Sequence, residues 1–183
     1  MLIFILVPLI IAAIKGYRIF DLFKVVDMYP FFAVCLCHGF FIAAAWLDIH
    51  TFVKYSELMQ YLFIITLLFP IIRRQLSTQA FVGSGITVLG TLMNRIVISA
   101  NDGHMPVKIS LSKLIGYSDE SDFTGAIDSM HVLMSDSTKL NFLADYIDLG
   151  VCIMSPGDAL IHSFASIIIY YTVKAVCPMK KGI

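Results

Sequence analysis

The sequence predicts an all-α membrane protein: a polytopic bundle of about five transmembrane helices with a small, partly helical extracytoplasmic segment. The 183-residue chain is 58% apolar and only 14% charged, against about 25% charged in a soluble domain. The apolar residues come in blocks near the roughly 20 residues that cross a hydrocarbon core about 30 Å thick. Basic residues gather in alternate gaps between those blocks, the pattern the positive-inside rule imposes on a multi-pass chain.

The first block is residues 1–14. At about 1.5 Å per residue it covers only about 21 Å, so local thinning of the bilayer or snorkelling must help it cross. It has no positive leader and no good small-residue cleavage site, and reads as a retained span rather than a signal peptide. Ile19 to Phe23 is a candidate extension. The second span is residues 30–46, the third 58–72 with a start reaching back toward Thr51, the fourth 76–100 and the fifth 159–176. Residues 1–183 thus form a single membrane domain, with residues 101–157 as a segment on the outer side. Five spans place Lys15, Arg18, Lys24, Arg73, Arg74, Lys174, Lys180 and Lys181 on one face. That orientation puts the N-terminus outside and the C-terminus in the cytoplasm of a cell-membrane protein.

Within the outer segment, residues 124–134 read as a short helix with Ile127, Met130 and Met134 on one stripe. Residues 138–147 read as another, with Leu140, Leu143 and Ile147 aligned and Ser137 or Asp136 as cap. Asp119, Glu120, Asp122, Asp128, Asp136, Asp145 and Asp148 make the segment acidic. It is either a lid on the outer membrane face or a structured loop that ties two spans together.

Arg95 is the first candidate for chemistry. A charge within a span costs at least about 2.5 kcal/mol, so it faces a partner or a cavity. Thr87, Thr91 and Asn94 share much of its helical face. Asp158 is the expected partner, with snorkelling of Arg95 to the outer surface as the alternative. Asp158, His162 and Ser166 line one face of the fifth span. Ser155-Pro156-Gly157-Asp158 also reads as a helix start, with Ser155 as N-cap, Pro156 at the first helical position and Asp158 at the third. A carboxylate there suits the positive end of the helix dipole. Asn101 to Pro106 is rich in turn residues, with Met105 biased to an extended shape by the proline after it.

Cys35-Leu36-Cys37-His38 is not a standard zinc pattern, and both thiols read as small packing residues. Gly39 and Ala43 offer a close helix contact. His38 is expected to line a polar interior with Arg95 or His162. No phosphate loop, H-E-x-x-H, G-x-S-x-G or nucleotide fingerprint occurs. The zero net charge gives no sign of a nucleic-acid partner. No catalytic residue, metal or cofactor is therefore expected.

Three stretches resemble an uncharacterised bacterial integral membrane family, domain of unknown function 5317. They are Asn101-Asp102-Gly103-His104-Met105-Pro106-Val107; His131-Val132-Leu133 followed by Thr138, Leu140, Phe142, Leu143 and Asp145; and Ser155-Pro156-Gly157-Asp158. The family's turn is Asn-Gly-Gly-x-Met-Pro, and this chain departs from it with Asp102 at the first glycine. The resemblance implies a relative without naming a reaction. It implies that Asn101, Met105, Pro106, His131, Thr138, Asp145, Ser155, Gly157 and Asp158 form one site at the outer face.

The expected function is that of a non-enzymatic membrane protein binding or passing a small polar or lipid-like ligand at its outer mouth. The expected polar cluster comprises Asn94, Arg95, Asn101, Met105, Pro106, His131, Thr138, Asp145, Ser155, Asp158 and His162. One alternative is a membrane-embedded hydrolase or transferase acting on lipid or peptide. His131 or His162 would be its base, oriented by Asp145 or Asp158, but the sequence offers no convincing nucleophile. The other alternative is a structural subunit of a larger membrane complex. The lipid bilayer, a small-molecule or lipid ligand and a membrane-protein partner are the associations these readings carry.

Overall fold

The computed structural model describes residues 2–46, 55–114, 130–150 and 152–179. It is mostly helical and divides into two compact units, Met1–Gly83 with Ala165–Ile183, and Ser84–Phe164.

In the first unit, α1 spans Leu2–Ile14. It stops at Gly16, whose φ of 86° only a residue without a Cβ adopts readily. The next residues do not extend α1. Ile19–Lys24 and Val26–Met28 wind as two 3-10 turns before α2, Tyr29–Trp46. Pro30 falls in the first turn of α2, where a missing N–H costs nothing. Arg18 donates its backbone N–H to the Pro178 carbonyl at 3.0 Å, and Tyr17 pairs with Met179. Asp27 accepts from Arg74 at 2.6 Å and lies 4.0 Å from Arg73.

The third apolar block is broken, not continuous. It forms α3, Ser56–Thr66, and α4, Leu68–Arg73. The expected span of residues 58–72 is interrupted at Leu67 for a local reason. Pro70 has no N–H to give the Thr66 carbonyl, and its ring crowds that position. The chain tightens instead: Leu67 N–H bonds the Ile64 carbonyl at 3.1 Å, and the Thr66 hydroxyl bonds the Phe63 carbonyl at 2.8 Å. Leu67 at the kink is fully buried. Phe31 of α2 meets Phe63 of α3 with ring centroids 5.1 Å apart, and Met28 and Phe31 complete this core. The Ser166 hydroxyl donates to the Phe4 carbonyl at 2.7 Å.

The long helices are α5, Ser77–Ala100, and α7, Pro156–Val176. Both are long and apolar enough to cross a membrane. The apolar helical stretches Ile3–Ile14, Val26–Phe41 and Tyr61–Arg73 are shorter.

The second unit holds the loop structure between α5 and α7. Strand β1, Met105–Val107, pairs in parallel with β2, His131–Leu133. Val107 also forms a parallel bridge with Asp145. A single helical turn, α6, covers Leu111–Leu114. Strands β3, Ile147–Asp148, and β4, Ile153–Met154, form an antiparallel pair. Val97, Met105 and Ala144 are the buried centre, with Ile98, Met134, Leu140 and Leu143 packed on it.

The helix expected over residues 138–147 is not there. The Thr138 hydroxyl turns back on the Ser135 carbonyl at 2.7 Å and the Asn141 side chain at 2.8 Å, the competition by which Ser and Thr unmake helices. Leu140 takes a left-handed φ of 56°, and Asp145 N–H bonds the Pro106 carbonyl at 3.0 Å. Only Asn141–Leu143 keep a 3-10 turn. Leu140 and Leu143 still face the core, so the apolar stripe is real although the helix is not. Of the helix expected over residues 124–134, the part up to residue 129 lies outside the described residues, and its end is β2.

Asp148 organises the far side of this loop structure. Its Oδ2 accepts the Ser110 and Ser112 backbone N–H groups at 2.7 and 2.9 Å and the Ser112 hydroxyl at 2.8 Å. Its Oδ1 accepts Gly150 N–H at 2.8 Å. Desolvation pushes this carboxyl up, but the N–H groups of Ser112, Ser110 and Gly150 outweigh it and hold the group well below the usual carboxylate range.

Candidate functional site

The site is built on the N-terminus of α7. Ser155 follows strand β4 and caps the helix: Asp158 N–H bonds the Ser155 hydroxyl at 2.9 Å, and Ser155 N–H bonds Asp158 Oδ2 at 3.1 Å. This reciprocal box satisfies two N–H groups that a helix start otherwise leaves without partners. Asn94 on α5 joins both capping residues. Its amide donates to Asp158 Oδ1 at 2.7 Å, and its carbonyl accepts the Ser155 hydroxyl at 2.8 Å. Ser155 is fully buried.

Two glycines let α5 and α7 come this close. A Cβ on Gly90 would strike the Gly157 carbonyl, and a Cβ on Gly157 would strike the Asn94 side chain and lie 2.7 Å from the Gly90 carbonyl. Such close approach by small residues is the packing mode of membrane helices.

Asp145 reaches the same place from the loop. Its backbone is held by β1 and the residue after it: its N–H bonds the Pro106 carbonyl, and its carbonyl accepts Lys108 N–H at 2.8 Å. The side chain is buried, and its Oδ1 has no hydrogen-bond partner among the described residues. His131 Nε2 on β2 lies 3.6 Å from Asp145 Oδ2. Burial first, then the neighbouring Asp158 charge, push the Asp145 carboxyl up to about 7, with His131 pulling the other way. Two carboxyl groups in contact bond to one another only when one holds a proton. Asp145 therefore keeps its proton up to about neutral pH.

Of the residues expected in the cluster, the structure brings together Asn94, His131, Asp145, Ser155 and Asp158. Met105 and Pro106 are buried in β1 and position Asp145 rather than line the site. Asn101 and Thr138 lie in the turns behind it. The Asn101 amide donates to the Val97 and Lys139 carbonyls at 2.9 Å each, and its carbonyl accepts Lys139 N–H at 2.8 Å. His162 sits one turn further along α7, half-buried. Arg95 does not meet Asp158. It is exposed, and Asn94 takes the position facing α7, since adjacent helical residues point about 100° apart. Among the described residues, Arg95 makes no ion pair.

Asp102, where the family resemblance has glycine, adopts a left-handed φ of 54°. Asp is one of the few residues that tolerate this conformation. Cys35 and Cys37 are free thiols on α2, half-buried and exposed, and His38 Nδ1 is buried there without a hydrogen-bond partner among the described residues. Sequence reasoning missed Gly90. Its signal was the small-residue series Gly83, Thr87, Gly90, Thr91 on the stripe that ends at Asn94.

The model of a family of unknown function, DUF5317, matches residues 20–170. No curated protein and no solved structure matches the chain.

Proposed function

The chain belongs to the DUF5317 family, and from that premise we propose that it is a five-span membrane protein binding or passing a small polar ligand at its outer face. In this reading the Asp145–Asp158 pair, flanked by His131, receives a positively charged group of the ligand. The observation that carries the reading is Asp145: a carboxyl only 6% exposed, set against a second carboxyl, with one oxygen unpartnered among the described residues. A buried group of that kind is costly unless it serves a proton or a ligand.

The membrane part of the proposal draws on exposure. Only 17% of the apolar window of α5 and 28% of that of α7 is buried within the chain, whereas a core helix of a soluble protein is mostly buried. The orientation draws on the ties in the first unit, which gather Lys15, Arg18, Lys24, Arg73 and Arg74 around the ends of α1, α4 and α7 and the start of α2, with Lys174 in the last turn of α7. An excess of cations at one end marks the cytoplasmic side. The binding role draws on Ser155, whose hydroxyl is committed to the cap and to Asn94 and is not an activated nucleophile.

The test is a thermal shift on protein purified in mild detergent, with ethanolamine, choline and putrescine as probes and ethanol as the neutral control. A ligand at 100 times its dissociation constant stabilises by about 2.7 kcal/mol. The amines are expected to raise the melting temperature at pH 8 and, because Asp145 holds its proton below about 7, far less at pH 5.5. Asp145→Asn is expected to abolish the shift. Equal shifts in wild type and Asp145→Asn, or none with any amine, would contradict the proposed site.

A further inference from the structure

The residues between α1 and α2 carry a surface that the outer site does not use. Phe20, Phe23 and Val26 are 77%, 60% and 69% exposed, far more than large apolar groups on a water-facing loop need be. Alternating with them are Arg18 and Lys24. Both converge on Asp21, from opposite carboxylate oxygens, at 3.1 and 2.6 Å. Asp21 meets Arg18 at Nε, and the Arg18 side chain is 56% exposed, so its guanidinium is open to a second acceptor. A cavity of about 280 Å³ opens beside them, lined by Ala13, Tyr17, Arg18, Ile19, Phe20 and Asp21. Arg73 and Arg74 come to the same end of the unit through Asp27, and Lys15 through Tyr170 at 3.0 Å. Among the described residues, Asp21 and Asp27 are the carboxylates paired with Arg18, Lys24, Arg73 and Arg74.

We infer that residues 17–28 seat an anionic glycerophospholipid, its phosphate between Arg18 and Lys24 and its acyl chains against Phe20, Phe23 and Val26. Charge and apolarity together select this occupant. A second copy of the chain would bring a like set of cations. A nucleic acid would satisfy the cations but leave three exposed apolar side chains in water. An anionic lipid satisfies both, and each Lys or Arg near an anionic surface contributes about 1 kcal/mol. The phosphate would extend the Arg18–Asp21–Lys24 cluster through the exposed Arg18 guanidinium, a group that forms planar paired bonds to phosphate oxygens.

The inference rests on the membrane part of the proposed function and is independent of the outer site. The experiment is native mass spectrometry of the full chain released from micelles with equimolar phosphatidylglycerol and phosphatidylcholine. Wild type is expected to retain phosphatidylglycerol at least tenfold over phosphatidylcholine. The Arg18→Gln, Lys24→Gln double variant is expected to lose that preference, and the exposed control Lys108→Gln to keep it. Equal retention of the two lipids by wild type, or an unchanged preference in the double variant, would overturn the inference. Should the double variant not fold, wild type in 0.5 M sodium chloride replaces it: loss of the preference supports the seat and persistence overturns it. Alkaline carbonate extraction of native membranes separates the two failures. Release of the protein would sink the membrane reading and the lipid seat together, while retention without lipid preference would sink the seat alone.

Discussion

Gly157→Ala is expected to lower the stability of the purified protein by roughly 3 kcal/mol, the upper range for overpacking a tight contact. For a chain of this size that corresponds to a fall in melting temperature on the order of 10 °C. The added Cβ overlaps the Asn94 side chain and comes within 2.7 Å of the Gly90 carbonyl. Neither neighbour can retreat cheaply. Gly90 presents backbone, and Asn94 is committed to both Asp158 and Ser155. Moving it breaks the helix cap, so a steric fault becomes a lost polar network. Gly85→Ala on α5 is the contrast: its Cβ meets nothing within 4 Å. There the higher helix propensity of alanine is expected to stabilise by up to about 1 kcal/mol. Differential scanning fluorimetry of the two variants measures the difference. Equal effects would show that the α5–α7 contact is not close.

The second large effect concerns pH. The Asp145 carboxyl titrates at about 7 in the folded chain against an ordinary 3.8. Between those values the folded chain binds a proton that the unfolded chain has lost. Stability from this group is therefore fully present below pH 3.8 and falls as pH rises, until it is gone above about pH 7. The difference corresponds to a loss on the order of 4 kcal/mol as an upper bound. Asp145→Asn keeps the shape and a donor toward Asp158 but cannot ionise. Its stability is expected to vary much less between pH 4 and pH 8 and to exceed wild type at pH 8. Denaturant or thermal unfolding across that range measures the slope. A wild-type slope that survives in Asp145→Asn would place the titrating group elsewhere.

The positions of the apolar helices were legible because they depend on block length and composition. The N-terminus of α7 was legible because Ser155-Pro156-Gly157-Asp158 is a local signal, complete within four residues. The break at Leu67 could have been read from Pro70, but the apolar block around it has no other interruption and disguises it. The loop between α5 and α7 misled for a physical reason. Leu140, Leu143 and Ile147 carry a helical period, yet Thr138 and the left-handed Leu140 divert the backbone, and β1 supplies hydrogen-bond partners that no local pattern announces. Strands of two or three residues fall below the length at which alternation shows.

The candidate cluster was legible as a set of residue types, not as a geometry. Arg95 has the charge to pair with Asp158 but not the direction: Asn94 makes the bond, because one step along a helix decides which side chain faces inward. The pairing of Asp145 with Asp158 brings like charges together across a loop whose path local sequence does not specify. Gly90 went unread because a glycine in an apolar helix announces close packing only when its partner is known.

The proposed topology puts Asp145 on the outer side of a membrane and Lys24 on the cytoplasmic side. Cysteine labelling tests it most directly. In a variant whose Cys35, Cys37, Cys152 and Cys177 are replaced by serine or alanine, single cysteines are introduced as Ser137→Cys and Lys24→Cys. Intact cells are then treated with a membrane-impermeant maleimide. The account predicts labelling of Ser137→Cys before lysis and of Lys24→Cys only after it. The reverse pattern, or equal labelling of both before lysis, would contradict it.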